Sequence, residues 1–171
     1  LSYFLLPHLL LDRLIASAPA RIVNLTSNLH ARGKINFDDL QASQGYGRLG
    51  FGQYSNTKLM NMMFTYELAR RLEGTQVTAN CVHPGVIGTN LSRTMPRLMH
   101  RVYLAILPKP EQGARTSIYA AAAPELANVT GRYLVNCQVT PSSPASHDIE
   151  AQRRLWDISA EMTGIREPAM A

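Results

Sequence analysis

The sequence predicts an α/β fold, a parallel sheet covered by helices on both faces. Two observations carry that expectation. Short runs at residues 20–27, 77–83 and 131–135, rich in apolar and β-branched residues, alternate with segments of helical periodicity. These runs are nearly continuous in apolar character, as in strands buried on both faces. The chain has 171 residues, 46% hydrophobic and 17% charged, enough for one domain with a core and too apolar for disorder.

Each element follows from its own pattern. Residues 3–16 place Phe4, Leu5, Leu9, Leu10, Leu14 and Ile15 at three- and four-residue steps around Asp12 and Arg13, which predicts a mostly buried helix. Its apolar start is too short for a membrane span and holds Pro7 and His8. It has neither the basic start nor the cleavage site of a signal peptide. A chain opening inside a helical pattern is expected to be part of a longer one. Residues 20–27, after Pro19, predict a buried strand.

Residues 28–52 read as a long loop with one helical turn near Phe37 and Leu40, and loops of that length are usually functional. The strongest helix is 53–73, where Met60, Met63, Phe64, Leu68 and Leu72 repeat at helical spacing and Gly74 supplies the stop. Residues 77–83 form a second buried strand ended by Pro84 and Gly85. Residues 89–107 are apolar but basic, closed by Pro108 and Pro110. A helix over 111–123 stops at Pro124. A third strand at 131–135, a Pro/Ser loop at 141–146 and a last helix over 147–163 complete the chain.

Composition excludes several classes. Cys81 and Cys137 are the only cysteines and form no CxxC, so a disulfide scaffold and a four-cysteine zinc site are ruled out. Both are expected to be buried or inert thiols. The net charge of +5 suits anionic groups such as nucleotide phosphates or a membrane surface. The basic residues are scattered, with no basic tail or aromatic-interleaved stripe, so nucleic acid is not the expected partner.

The chemistry centres on Tyr54 and Lys58. Four residues apart on a helix, a phenol and an ammonium share one face. A free phenol titrates near 10, and a neighbouring cation favours the phenolate. A phenol so placed can give a proton to a developing alkoxide or take one from an alcohol. Alone, the pair also reads as a surface helical pair. Two further features add to it. Ser27, ending the first strand, offers a hydroxyl to a substrate oxygen, although a cap or turn serine fits as well. After the second strand, Gly85 lets backbone approach a ligand, and Thr89 offers a hydroxyl and an amide at the next helix start. An ordinary strand-to-helix turn fits those residues too.

Ligands in parallel sheets bind beyond the carboxyl ends of the strands, which here points to Ser27, His83–Thr89 and the loop after Val135. The order Asn24-Leu25-Thr26-Ser27, Tyr54-x-x-x-Lys58, His83-Pro84-Gly85-x-x-x-Thr89 resembles the short-chain dehydrogenase/reductase family. Further stretches resemble its retinol dehydrogenase subgroup: Ser17-Ala18-Pro19-Ala20-Arg21-Ile22-Val23-Asn24, Glu67-Leu68-Ala69-Arg70-Arg71-Leu72 and Leu155-Trp156-Asp157-Ile158-Ser159. The resemblance runs over nearly the whole chain. It implies a Rossmann-type parallel sheet and an enzyme that interconverts an alcohol and a carbonyl. The implied cofactor is a nicotinamide dinucleotide, in this subgroup usually NADP, with NAD the alternative. The implied substrate is apolar, a retinoid or lipid-like molecule. By position Tyr54 would be the general acid/base, and Lys58 would favour its phenolate and bind the nicotinamide ribose. Ser27 would orient the substrate oxygen, and Pro84, Gly85, Val86 and Thr89 would contact the nicotinamide end.

The family's glycine-rich TGxxxGxG turn, its NNAG motif and its helix asparagine have no counterpart in these residues. The expectation is therefore a single partial domain over 1–171, lacking the N-terminal half, with an apolar unpaired sheet edge and poor cofactor binding by itself. A membrane anchor, in this subgroup, usually lies in that half. The competing reading is a non-catalytic binding or interaction protein on a dehydrogenase fold.

Smaller signals complete the reading. The methionine-rich run 59–63 fits core packing better than a ligand surface. His83 fits a structural role or a polar contact near substrate. Residues 93–109 mix Arg93, Arg97, Arg101 and Lys109 with apolar side chains. They fit a lid over an apolar substrate that touches a membrane surface, or equally an amphipathic surface helix.

Overall fold

The computed structural model describes residues 1–46, 50–87, 101–102 and 106–165. The element order is α1 (Ser2–Ala16), β1 (Ala20–Leu25), α2 (Phe51–Arg71), β2 (Val77–His83), α3 (Pro110–Ala122), β3 (Tyr133–Val135), β4 (Gln138–Val139) and α4 (Ile149–Thr163). Short 3-10 turns lie at Asn28–Arg32, Pro124–Leu126 and Pro144–His147. The predicted long helices and strands within the described residues are present, with ends shifted by a few residues, whereas the helical turn expected near Phe37 and Leu40 is a plain turn and the short helix of that loop lies at Asn28–Arg32.

The sheet order is β1-β2-β3-β4. β1 pairs parallel with β2 from Ala20↔Val77 to Leu25↔Val82, and β2 pairs parallel with β3. β4 corrects the expected all-parallel sheet, because it returns antiparallel on β3. Its hairpin is made by Asn136 and Cys137, both at positive φ, 50° and 61°. Two-residue hairpins of that hand normally announce themselves as Asn-Gly or Asp-Gly, and a cysteine at the second position hides the signal.

β2 is buried along its whole length, as a strand between two helical layers must be. Its alternating side chains feed two cores. On one face α1, α2 and α4 enclose Phe4, Leu11, Phe64, Leu68, Val77, Ala79 and Trp156. On the other, Val82 and Leu134 pack with Ala120, Ala123 and Leu126 of α3 and the turn after it. The buried Asn80 of β2 is satisfied by the chain beyond the strand. Asn80 donates its side-chain amide to the Val129 carbonyl (2.7 Å) and accepts from the Arg132 amide (2.9 Å). The methionine run is core: Met62 and Met63 are essentially inaccessible. Buried Glu67 on α2 is paired with Arg70 and Arg71, and Arg70 also donates to Gln152 of α4.

β1 lies at the end of the sheet, and its outer side borders an apolar groove of about 400 Å³ between β1 and Leu6, Pro7, Leu10 and Leu14 of α1. Leu6 and Leu9 are more than half exposed. This is the apolar edge that the sequence leads one to expect.

Candidate active site

Hydrogen bonds tie β1 and the residue after it to α2, the helix that carries Tyr54 and Lys58. Asn24 donates to Thr65 Oγ1 at 2.8 Å, Asn61 donates to the Leu25 carbonyl at 3.3 Å, and Thr26 donates to the Lys58 carbonyl at 2.8 Å. Successive strand residues thus meet α2 at 65, 61 and 58, ever nearer its N-terminus. The strand runs antiparallel to the helix and delivers Ser27 toward the turn that carries Tyr54.

The turn after Ser27 is pressed on the same helix. A Cβ at Gly33 would lie 2.7 Å from the Ser55 carbonyl oxygen and 2.8 Å from Leu59 Cβ, and the Lys34 amide donates to Asn56 Oδ1 at 2.8 Å. Gly33→Ala must therefore push the 27–33 turn off α2. The expected cost is about 1–3 kcal/mol, as for other overpacked sites, read as a lower urea midpoint at unchanged slope. A midpoint equal to the parent's would mean the turn is not seated on the helix.

Ser27 is buried and extended (φ −148°, ψ 154°), and it caps the 3-10 turn. Its hydroxyl accepts from the Leu29 amide and donates to Asn28 Oδ1, both at 3.3 Å. Those bonds are long, so the capping role and a stronger bond to a ligand oxygen are compatible.

Tyr54 follows Gly50, whose φ of 67° turns the chain into α2. Lys58 Nζ lies 5.3 Å from the centre of the Tyr54 ring and 6.0 Å from that of Tyr3 on α1. Among the described residues it has no carboxylate within ion-pair distance. Burial holds its ammonium below the usual lysine range.

The loop after β2 holds Pro84, Gly85 (φ 90°) and Val86, which is 57% exposed. It is pinned through Ile87, whose Cγ1 would stand 2.6 Å from a Cβ at Gly113 of α3. Thr89 lies outside the described residues, as do Arg93 and Arg97 of the proposed lid. Val102 and Ile106 of that segment are exposed, 50% and 74%.

Two groups at the site carry no motif. Tyr3, on the far side of Lys58, had only its place in an apolar helix to mark it. His30 was unmarked within a long loop. Its Nδ1 lies 2.8 Å from the Ser27 carbonyl, and its Nε2 accepts from the Ser143 amide at 3.1 Å. His83 is buried near it, with Nδ1 unpartnered. Burial lowers the pKa of both imidazoles, and for His83 the neighbouring His30 adds to the effect. The unfolded chain then binds more protons below about pH 6.5, so stability rises with pH through that range. Melting temperature is expected to fall between pH 7 and pH 5, less so in a His30→Gln/His83→Gln double variant. Equal pH slopes would remove these residues from the effect.

An apolar cavity of about 300 Å³ lies on the neighbouring face of α2, lined among others by Tyr3, Phe4, Thr57, Phe64 and Trp156. Tyr54 and Ser27 do not line it. Among the described residues no His, Cys, Asp and Glu cluster could hold a metal ion, and no helix is long and apolar enough to cross a membrane.

Comparison with known proteins agrees with this architecture. The short chain dehydrogenase family pattern matches residues 1–98. The chain is 46% identical to human retinol dehydrogenase 14 over 171 residues, covering 96% of this chain and 50% of that protein. It is 45% identical to bovine retinol dehydrogenase 12 over 168 residues, covering 97% and 52%. A crystal structure of an uncharacterized protein from Mycobacterium paratuberculosis superposes with a TM-score of 0.73 at 30% identity, covering 97% of this chain and 57% of that one. The chain thus spans about half the length of the curated relatives it matches. With the family pattern over more than half of its residues and the fold to match, this chain belongs to the short-chain dehydrogenase family.

Proposed function

We propose that these residues form the catalytic half of an NADP-dependent oxidoreductase that interconverts an alcohol and an aldehyde or ketone on an apolar, retinoid- or lipid-like substrate. The observation that carries this reading is the Tyr54–Lys58 pair on a helix to which the Ser27 turn is bonded. The names of the relatives support the substrate class.

The residues fit a nicotinamide cofactor in two respects. The half-buried Lys58 ammonium has no carboxylate partner among the described residues and can serve ribose hydroxyls and a phenolate together. Gly85 at positive φ lets the backbone of the 84–86 loop come close to a ring. Pro84, Gly85, Val86 and Thr89 would hold the nicotinamide end. The cofactor, when bound, supplies or accepts the hydride.

The chain's own residues manage the proton. Ser27 Oγ donates to the substrate oxygen and fixes its direction. The Tyr54 hydroxyl gives its proton to that oxygen as a carbonyl becomes an alcohol, and takes it back in the reverse direction. Lys58 stabilises the phenolate that remains, an effect made larger by partial burial. Residues 93–109 would close over the substrate and touch a membrane surface.

Activity is proposed for these residues joined to a dinucleotide-binding half. Calorimetry with NADPH on the 171-residue chain alone is expected to show no micromolar binding. A chimera adding the unmatched part of human retinol dehydrogenase 14 is expected to bind NADPH and reduce an apolar aldehyde. A folded chimera that binds NADPH but turns over no carbonyl would favour a non-catalytic binding protein. Micromolar binding to the chain alone would show that the other half is not needed for the cofactor.

A further inference from the structure

His30 makes an unusual pair of bonds. A carbonyl can only accept, so the 2.8 Å contact to the Ser27 oxygen requires a proton on Nδ1. A backbone amide can only donate, so the 3.1 Å contact from Ser143 requires a bare Nε2. Geometry alone therefore sets a neutral ring with its proton on Nδ1. The two bonds join segments 113 residues apart, the serine turn and the loop entering the 3-10 turn at Pro144–His147.

That loop is itself anchored. Ser146 donates to the Ser143 carbonyl at 2.6 Å, and Gln152 of α4 donates to the Ser146 carbonyl at 2.6 Å. Tyr66 of α2 donates to Ser142 Oγ at 2.8 Å. His30 thus ties the Ser27 turn to a support fixed by α2 and α4.

We propose that His30 is a positioning residue for Ser27, a two-ended neutral imidazole holding the serine turn between α2 and the 142–146 loop. The titratable groups facing it are His83 from β2 and Tyr133 from β3, whose ring meets the imidazole edge-on at 5.1 Å. From α2, Ser55 and Leu59 close the turn through Gly33. Three buried polar atoms of adjoining residues, His83 Nδ1, Tyr133 OH and Ser143 Oγ, have no partner among the described residues. A cation placed among them would lose the Ser143 bond and meet no carboxylate in return. Acid is therefore expected to release the tie, since a proton on Nε2 opposes the amide hydrogen of Ser143.

The catalytic meaning rests on the function proposed above, but the tie is testable without turnover. Long-range proton–nitrogen spectra of the 171-residue chain at pH 7.5 are expected to show His30 as the Nδ1–H tautomer, the minor form of free histidine. An Nε2–H tautomer, or a mixture of the two, would overturn the proposal. In His30→Ala the Ser143 amide is expected to exchange at least tenfold faster while Cys81 in β2 keeps its protection; equal exchange at Ser143 would overturn it. His30→Asn guards against global unfolding. Its side-chain N–H can still reach the Ser27 carbonyl but not Ser143, so the Ser27 carbonyl shift should recover while Ser143 stays fast. In the chimera, His30→Ala should lower kcat about tenfold with the NADPH affinity unchanged, and His30→Asn should restore part of it. If the tautomer and exchange results hold but no chimera turns over, the oxidoreductase reading fails and the tie stands. If the chimera turns over and His30→Ala leaves kcat untouched, the tie does not position the serine for catalysis.

Discussion

Replacing Tyr54 by Phe in the chimera is expected to lower kcat by about 10²–10⁴-fold, the usual range for a lost general acid/base. The ring stays, so its packing and the contact with Lys58 Nζ at 5.3 Å stay with it. Only the proton is removed. NADPH affinity is expected to change less than about threefold, because Lys58 and the 84–86 loop are untouched. Measuring kcat and the cofactor Kd separately makes the prediction specific: a loss in kcat without a loss in binding marks an interaction made in the transition state. Turnover within twofold of the parent's would show that the proton comes from another group. Loss of cofactor binding alone would give Tyr54 a binding role and no other. Lys58→Met is expected to lower kcat and weaken the cofactor together, because the proposed mechanism gives its ammonium both tasks.

The largest effect on stability is expected at Trp156. Its ring stacks on Phe64 of α2 with centroids 5.3 Å apart and meets Phe4 of α1 edge-on at 5.0 Å. The Arg71 guanidinium lies over it at 4.3 Å. It therefore joins three helices on one face of the sheet while remaining only 3% exposed. Trp156→Ala removes these contacts and enlarges a cavity of about 300 Å³ that the indole already borders. The expected loss is about 3–5 kcal/mol. For a chain of this size that corresponds to roughly 6–20 °C in melting temperature. Trp156 is the only tryptophan, so the measurement needs circular dichroism rather than intrinsic fluorescence. Trp156→Phe should retain most of the stability, since a ring can still face Phe64 and Phe4. A loss below 1 kcal/mol for the alanine variant would mean that the three helices hold together without it.

Much of this protein is legible in order along the chain. The alternation of β-branched runs with helical periods, and stops such as Gly74, depend on neighbours within a few residues. They placed α1, α2, α3, α4 and three of the four strands. Tyr54 and Lys58 were legible for the same reason, since one turn of helix is enough to put their side chains together. The family resemblance likewise lies in local motifs.

Tertiary structure decided what depends on distant partners. The Asn136–Cys137 hairpin has no glycine to announce it, so β4 appears only once β3 offers its edge. The sequence places Ser27 27 residues before Tyr54. Only the bonds from Asn24, Leu25 and Thr26 to α2 lead it toward the same turn. Gly33 looks like any loop glycine until the Ser55 carbonyl fills the space of its Cβ. His30 carries no pattern at all, because one of its two partners is Ser143 and a bond across 113 residues leaves no local trace. Backbone propensity and periodicity are short-range quantities and can be read from the sequence, whereas hydrogen bonds between remote segments exist only after the sheet and its helices have closed.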